Sequence, residues 1–184
     1  MKATEILSME HRVIERVLSA LETGAGLLSQ DKAIRPEFFI EATDFVKGFA
    51  DGCHHKKEEG VLFKSIVENG MSLEGSPVAV MLHEHEMGRE YTRALRSAAE
   101  RLKTGDQTAR PEVISNARNY AALLRQHIDK EDQILFPMAD RMIPLEQHEA
   151  VWQGFERVEH DETGEGVHEK YLALAEALEK EVEG

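Results

Sequence analysis

The chain has little of several features on which other protein classes depend. Its 184 residues include one cysteine, Cys53, which excludes a disulfide framework and a thiolate zinc cage. No apolar run approaches the ~20 residues that a membrane helix needs. The N-terminus, MKATEILSMEHR, lacks the apolar core of a signal peptide. We therefore expect a cytoplasmic protein with no membrane association.

Positive charge is also scarce in this sequence. Basic residues number 22 against 35 acidic ones, which gives a formal net charge of -13. A chain this acidic repels phosphates and anionic lipids, so nucleic acid and membrane surfaces are excluded as expected partners. Hydrophobic residues make up 41% of the chain, which excludes wholesale disorder. What stands out instead is histidine, with nine residues in a small acidic chain.

The spacing of apolar residues predicts helices throughout. Apolar residues recur at steps of three and four, and proline is scarce inside these segments. Four long helices are predicted, from about Thr4 to Leu28, from Pro36 to Gly70, from Ser76 to Gly105 and from Pro111 to Pro137. Short connections predict antiparallel neighbours. We therefore predict an all-α fold in which residues 1–140 form an up-down four-helix bundle. Residues 141–184 add two C-terminal helices, split by the turn at residues 163–166, that pack on the bundle.

Three of the four helical rows contain a histidine where Leu or Ile is expected. These residues are His11, His85 and His127. One buried histidine alone is an ordinary core residue. Burying three imidazoles without partners is unfavourable. Their occurrence in three different helices therefore predicts that the histidines share a common binding partner in the middle of the bundle.

An internal repeat adds the second helix to this set. Residues 54–63 and 127–136 both read H-x-x-K-E-[ED]-x-[VI]-L-F, which pairs His54 with His127 and Glu58 with Glu131. A spacing of four places each histidine and its glutamate on one helical face. The histidine can then hold one metal while the carboxylate reaches across to a second.

A competing register uses His55 with Glu59. In a regular α-helix His55 projects about 100° away from His54, alongside Gly48 and Gly52. The repeat favours His54 and Glu58, so His54→Ala is expected to lose metal and His55→Ala largely to keep it. His83 lies two residues from His85 and is expected on the surface or behind the ligands.

The predicted ligands suit a pair of iron ions. The set is His11, His54, Glu58, His85, His127 and Glu131. If both carboxylates bridge, each metal receives two imidazoles and two carboxylate oxygens. Such donors suit iron, zinc, copper or manganese, and the lack of cysteine among them disfavours cuprous copper and iron–sulfur clusters. A histidine-rich dinuclear site in a helical bundle favours iron, with zinc or manganese as substitutes.

These motifs resemble those of hemerythrin-like (HHE cation-binding) domains over about residues 4 to 140. The matching features are Met9-Glu10-His11, His54 and Glu58 followed by Leu62-Phe63, Glu84-His85-Glu86, and His127 and Glu131 followed by Leu135-Phe136-Pro137. The resemblance implies an up-down four-helix bundle that holds an oxo- or hydroxo-bridged di-iron centre. Glu58 and Glu131 would be the bridging carboxylates.

The chain departs from the oxygen-carrying members of that family. Those carriers have an H-x-x-x-H pair on the third helix, whereas Met81 and Arg89 flank His85 at that spacing here. The fourth-helix carboxylate, Glu131, follows His127 by four residues, where the carriers use an Asp five residues on. With six ligands, the site resembles the bacterial branch linked to oxygen, nitric oxide or peroxide handling, and the iron-repair proteins. A seventh ligand could be a glutamate or tyrosine, and Tyr120 either packs in the core or lines the pocket.

The expected function is a non-haem di-iron protein with an open position for O2, NO or peroxide. The protein would bind, sense or detoxify that small ligand. One alternative is an enzyme that dismutates peroxide or reduces NO at the same centre. The other is an iron or zinc store, or a repair module, without catalysis of its own. The sequence does not decide whether the protein is an enzyme, and it indicates no protein partner.

Overall fold

The computed structural model describes residues 2–164 and 166–183, and in this part of the chain every regular element is helical. Helix α1 spans Ala3–Ser29, α2 spans 36–68, α3 spans Pro77–Lys103, α4 spans 110–142, α5 spans 148–163 and α6 spans Val167–Glu183. Single 3-10 turns at Gln107–Ala109 and Leu145–Gln147 precede α4 and α5. The predicted all-α class is confirmed.

Local sequence signals set several of the helix ends. Ser76 is the N-cap of α3, and its Oγ accepts a hydrogen bond from the backbone N–H of Ala79. Pro36 occupies the first turn of α2, where a missing N–H costs nothing. Gly70 and Gly105 follow α2 and α3 with φ of 105° and 98°, a conformation that favours glycine. These are the boundaries that the sequence predicted.

Helices α2 and α4 contain π-helical segments, in which each N–H bonds to the carbonyl five residues earlier. In α2 the order is Pro36–Phe45 (α), Val46–His55 (π), Glu58–Leu62 (π) and Phe63–Glu68 (α). In α4 it is Arg110–Lys130 (α), Glu131–Leu135 (π) and Phe136–Met142 (α). Each π turn takes up extra chain per turn and rotates the following residues relative to an α-helix.

Two predictions for α4 are wrong because of its π segment. An α-helical spacing predicts that the apolar row of α4 continues from Glu131 to Ile134, but Ile134 is 51% exposed and Leu135 is 1% exposed. The helix was also expected to end at Pro137, whereas it continues to Met142. Pro137 lies in the first turn of the α-helical segment after the π turn, where its missing N–H removes no α-helical bond.

The four long helices form an antiparallel bundle with two apolar clusters. One cluster includes Leu28, Phe38 and Leu102, at the end where α1 and α3 finish. The other includes Leu7, Phe63 and Phe136, near the start of α1. The predicted histidine ligands lie in the layer between these clusters, so the bundle holds a polar layer with apolar packing on both sides.

The two C-terminal helices pack on the bundle. Ala175 and Leu178 of α6 belong to the first apolar cluster. Gly48 of α2 lies so close to Tyr171 of α6 that a Cβ there would meet its ring at 1.9 Å. The turn between α5 and α6 contains Gly164 and Gly166, both with positive φ, and Glu165 lies outside the described residues. The domain boundary at residue 140 stays a prediction.

No helix in the described part of the chain combines the length and apolarity that crossing a membrane requires.

Candidate metal centre

The π segment of α2 turns two consecutive histidines into the bundle. His54 is 1% exposed and His55 is 5% exposed. The prediction that His55 projects away from the core is therefore wrong. It assumed the α-helical rotation of 100° per residue, and the i→i+5 bonding of Val46–His55 changes which side chains face inward. His83, in contrast, is exposed as predicted.

The structure brings all six predicted ligands together and adds His55. The ligand atoms form two buried groups, in each of which the atoms lie within 4.8 Å of one another. Group A consists of His11, His54, Glu58 and Glu131, and group B consists of His55, Glu58, His85 and His127. Within group B, the Nε2 atoms of His85 and His127 are 3.1 Å apart. The two groups share Glu58.

The two carboxylates, Glu58 and Glu131, lie between the histidines of the two groups. Glu58 Oε1 is 3.4 Å from His54 Nε2 in group A, and Glu58 Oε2 is 3.4 Å from His85 Nε2 in group B. Glu131 Oε2 is 3.3 Å from His11 Nε2 and 3.2 Å from His127 Nε2. Each carboxylate therefore contacts one histidine from each group.

Several of these atoms are buried without a hydrogen bond. Both oxygens of Glu58, both oxygens of Glu131 and Nε2 of His11 make none within the part of the chain that is described. Leaving such groups unsatisfied is costly, and most buried polar atoms in proteins have a partner. Convergent imidazole nitrogens and carboxylate oxygens with free lone pairs are the donor set that a pair of transition-metal ions requires. The residues present thus fit such a pair.

A second layer of carboxylates holds the histidines from behind. Each of the five histidines places its Nδ1 against a carboxylate oxygen: His11 on Asp132 at 2.9 Å, His54 on Glu10 at 2.9 Å, His55 on Asp51 at 3.3 Å, His85 on Glu59 at 2.7 Å and His127 on Glu84 at 3.0 Å. An Nδ1–H that donates to a carboxylate fixes the ring and leaves Nε2 free to bind a metal. His55 shares this arrangement with the four predicted histidines.

Four of these hydrogen bonds form a closed ring around the bundle. Glu10 of α1 holds His54 of α2, Glu59 of α2 holds His85 of α3, Glu84 of α3 holds His127 of α4, and Asp132 of α4 holds His11 of α1. The ring has approximate twofold symmetry, since the α1–α2 pair repeats the roles of the α3–α4 pair. The fifth bond, from His55 to Asp51, lies within α2 and has no counterpart in this ring.

Basic side chains neutralise the second layer from outside. Arg12 pairs with Asp132, and Lys130 pairs with Glu84. Arg89 contacts Asp51 at 2.6 Å and Glu59 at 2.8 Å. Charge therefore alternates outward from the centre, which stabilises the buried carboxylates in their ionised form.

At pH 7 and without bound metal, the carboxylates of Glu58 and Glu131 and the imidazoles of His54 and His127 are charged. Burial opposes the charge on His54, but Glu58 and Glu10 outweigh it and raise the pKa of His54 to about 10. Burial likewise opposes the charge on His127, and Glu131 raises its pKa to about 9. For His55, burial and the neighbouring His85 lower the pKa to about 3. His55 is therefore neutral at pH 7 and can bind a metal without losing a proton.

Metal binding is expected to release at least two protons per chain at pH 7. His54 and His127 are protonated below pH values near 9, so a metal must displace their Nε2 protons. Apparent affinity therefore rises with pH until these histidines are deprotonated. Titration calorimetry in buffers of different ionisation enthalpy counts the protons. His83→Ala, which changes an exposed histidine, should leave the count unchanged, and a count of zero would contradict the protonation states.

Lys57 is completely buried behind His54. Its Nζ lies 2.6 Å from Glu10 Oε1 and 3.0 Å from Glu159 Oε2 of α5. A charged run such as Lys56-Lys57-Glu58-Glu59 ordinarily predicts a solvated face, and this prediction is wrong for Lys57, which is 0% exposed. Glu10 also accepts a hydrogen bond from His54. Contacts therefore run from Glu159 of α5 through Lys57 and Glu10 to His54 of group A.

Lys57→Met is expected to lower the free energy of unfolding of the metal-free protein by about 3–5 kcal/mol. The substitution keeps the aliphatic volume but removes the buried cation that lies between Glu10 and Glu159. Chemical denaturation measures the loss. Lys64→Met, at an exposed position of the same helix, should change the value by less than about 0.5 kcal/mol. Equal effects for the two variants would show that the buried pair does not stabilise the fold.

Sequence reasoning missed His55, Lys57 and the second layer, although one signal for that layer was present. In each of the four helices, an acidic residue directly precedes or follows a predicted ligand. The four cases are Glu10 beside His11, Glu59 beside Glu58, Glu84 beside His85 and Asp132 beside Glu131. In every one of these pairs, the extra acid serves a histidine on a neighbouring helix. The repeated pairing of acid and ligand therefore marked the second layer.

Comparisons with known proteins identify a family but no activity. A family model described as the hemerythrin HHE cation binding domain matches residues 2–139. The chain is also similar to uncharacterized proteins of Mycobacterium bovis and Mycobacterium tuberculosis, each 24% identical over 178 residues. These matches cover 97% of this chain and 69% of each relative. No solved structure matches the chain.

Proposed function

Because the chain belongs to the hemerythrin HHE cation-binding family, we propose that it is a non-haem di-iron protein that takes up O2, NO or peroxide. The observation that carries this proposal is the pair of buried ligand groups that share Glu58. Iron bound there would supply a redox-active centre to which a small ligand can bond directly.

The two groups offer different numbers of donors, which supports one open position. Group B has three imidazoles, from His55, His85 and His127, whereas group A has two. If Glu58 and Glu131 bridge, the metal at B receives five protein donors and the metal at A four. His55 would then be the seventh ligand that the sequence left unnamed, and the small ligand would bind at A.

The internal repeat supports the same assignment. It aligns His55 with Ile128, which is 2% exposed. Under the approximate twofold symmetry of the ring, Ile128 is the counterpart of His55, and it is buried in an α-helical segment where His55 ends a π segment. An isoleucine cannot bind a metal, so the corresponding position at A stays available.

The surroundings favour a small, weakly polar ligand. The Phe136 ring stacks on His11 with a centroid distance of 5.4 Å, and the Phe63 ring stacks on His85 at 5.9 Å. Leu7 and Leu135 pack in the same apolar cluster. These side chains exclude bulk water, while the second-layer carboxylates keep each Nε2 directed inward.

Metal analysis combined with optical spectroscopy tests the proposal. Protein from iron-supplemented expression should hold two iron ions per chain, and its reduced form should change spectrum when NO or O2 is added. Continuous consumption of added peroxide or NO would show turnover as well as binding. Protein that retains zinc alone, and shows no response to NO, would contradict the proposal and favour a metal store.

A further inference from the structure

A cavity of about 300 Å³ lies on the far side of His55, between α2, α3 and α4. Its buried walls include Val46, His55, Gly88 and Tyr120, and its exposed border includes Lys47 and Arg93. The volume equals the share of about ten water molecules in the liquid. The cavity is separate from the proposed open position, because His55 is the only member of groups A and B in its lining.

Tyr120 lines this cavity and carries a buried hydroxyl donor. The residue is 2% exposed, and its hydroxyl makes no hydrogen bond within the described residues. Burial raises the pKa of Tyr120, so the hydroxyl stays neutral and keeps its proton. A buried hydroxyl without a partner is unfavourable, and a ligand with an acceptor oxygen would satisfy it.

Positive charge is concentrated around the same cavity. Lys47, Arg89, Arg93 and Arg96 line it, with Asp51 as the acidic residue among the lining side chains. Arg89 is held by Asp51 and Glu59, and Arg96 by Asp44 and Glu100. Lys47 and Arg93 form no ion pair in the part of the chain that the structure describes. In a chain with a net charge of -13, these two cations form a local site for an anion.

We propose that this cavity binds a small organic carboxylate that carries an acceptor oxygen at its far end. The carboxylate lies between Lys47 and Arg93 at the border, the apolar body fills the interior, and the far oxygen accepts from the Tyr120 hydroxyl. This assignment depends on the cavity alone and holds whichever metal groups A and B bind.

Calorimetric titration of the full chain with 4-hydroxybenzoate tests the proposal. This probe has a carboxylate and a phenolic oxygen at opposite ends of a flat apolar body. Benzoate lacks the far oxygen, and 4-hydroxybenzamide lacks the charge, so each is expected to bind about tenfold more weakly, or ~1.4 kcal/mol. Inorganic phosphate should not compete at similar concentrations.

Variants decide whether the probe binds in this cavity. Arg93→Gln and Lys47→Gln are each expected to weaken binding several-fold, and Tyr120→Phe should remove the preference for 4-hydroxybenzoate over benzoate. Lys64→Gln, on α2 and outside the cavity lining, is the charge-matched control. Gly88→Ala keeps the fold, since its Cβ would lie 3.5 Å from Leu124 and 3.6 Å from Tyr120, and narrows the cavity.

Two results would overturn the proposal. One is the absence of saturable binding below about 10 mM probe, which would indicate that the cavity holds only water. The other is binding that Arg93→Gln, Tyr120→Phe and Gly88→Ala all leave unchanged, which would place the probe elsewhere on the protein.

Discussion

Glu58→Gln is expected to reduce the metal content of the chain from two ions to one or fewer. Each oxygen of Glu58 faces a different group, at 3.4 Å from His54 Nε2 and 3.4 Å from His85 Nε2. A glutamine of the same size offers one acceptor oxygen, and its NH2 group donates hydrogen bonds and cannot hold a cation. The shared ligand is thereby lost to one group and weakened for the other. Colorimetric iron analysis after reconstitution measures the stoichiometry, and competition with a chelator measures the affinity.

The matched control for this variant is the same substitution at the neighbouring residue, Glu59→Gln. Glu59 accepts from Nδ1 of His85, on the side of the ring opposite the Nε2 atom that belongs to group B. Glu59→Gln should therefore keep two ions, with affinity lowered about 10–100-fold, as for other residues that support a metal ligand. If Glu58→Gln kept both ions at unchanged affinity, Glu58 would not be a bridging ligand.

Ile128→His is expected to keep two metal ions and to lose the uptake of NO or O2 by about 100-fold or more. The repeat aligns Ile128, which is buried, with His55 of group B. A histidine at 128 can bind the position that we assign to the small ligand. Stopped-flow spectroscopy of the reduced protein with NO measures the uptake.

Two further variants separate coordination from bulk. Ile128→Val changes volume but adds no donor, and it should take up NO as the natural protein does. His55→Ile combined with Ile128→His exchanges the two positions, and it should restore uptake with the open position now at group B. Unchanged uptake by Ile128→His alone would show that the small ligand binds elsewhere.

The helices and six of the buried ligand-type residues could be predicted because each depends on regular spacing. Apolar rows of period 3.6 located the bundle, and the repeat paired His54 with His127 and Glu58 with Glu131. His55 could not be predicted in this way. Its inward position depends on the π segment Val46–His55, and an α-helical projection of the same residues turns it outward.

The exposed position of Ile134 has the same cause. The spacing of α4 was followed across Glu131–Leu135 as if the helix were α-helical, and the π turn there brings Leu135 inward instead. Lys57 illustrates a different limit, because its burial depends on Glu159 of α5. That contact joins residues far apart in the sequence, and spacing within one helix carries no information about it.

The closed ring of carboxylate–imidazole bonds has a consequence for how the chain unfolds. Group A draws on α1, α2 and α4, and group B on α2, α3 and α4, so neither hairpin of the bundle holds a complete group by itself. If each group holds an ion, as we propose, separating the hairpins must release both ions, and the free energy of metal binding adds to that of folding. Bound ions would then close a loop from residue 11 to residue 131. In a chain with a single cysteine, they would supply the long-range cross-link that disulfides supply in secreted domains.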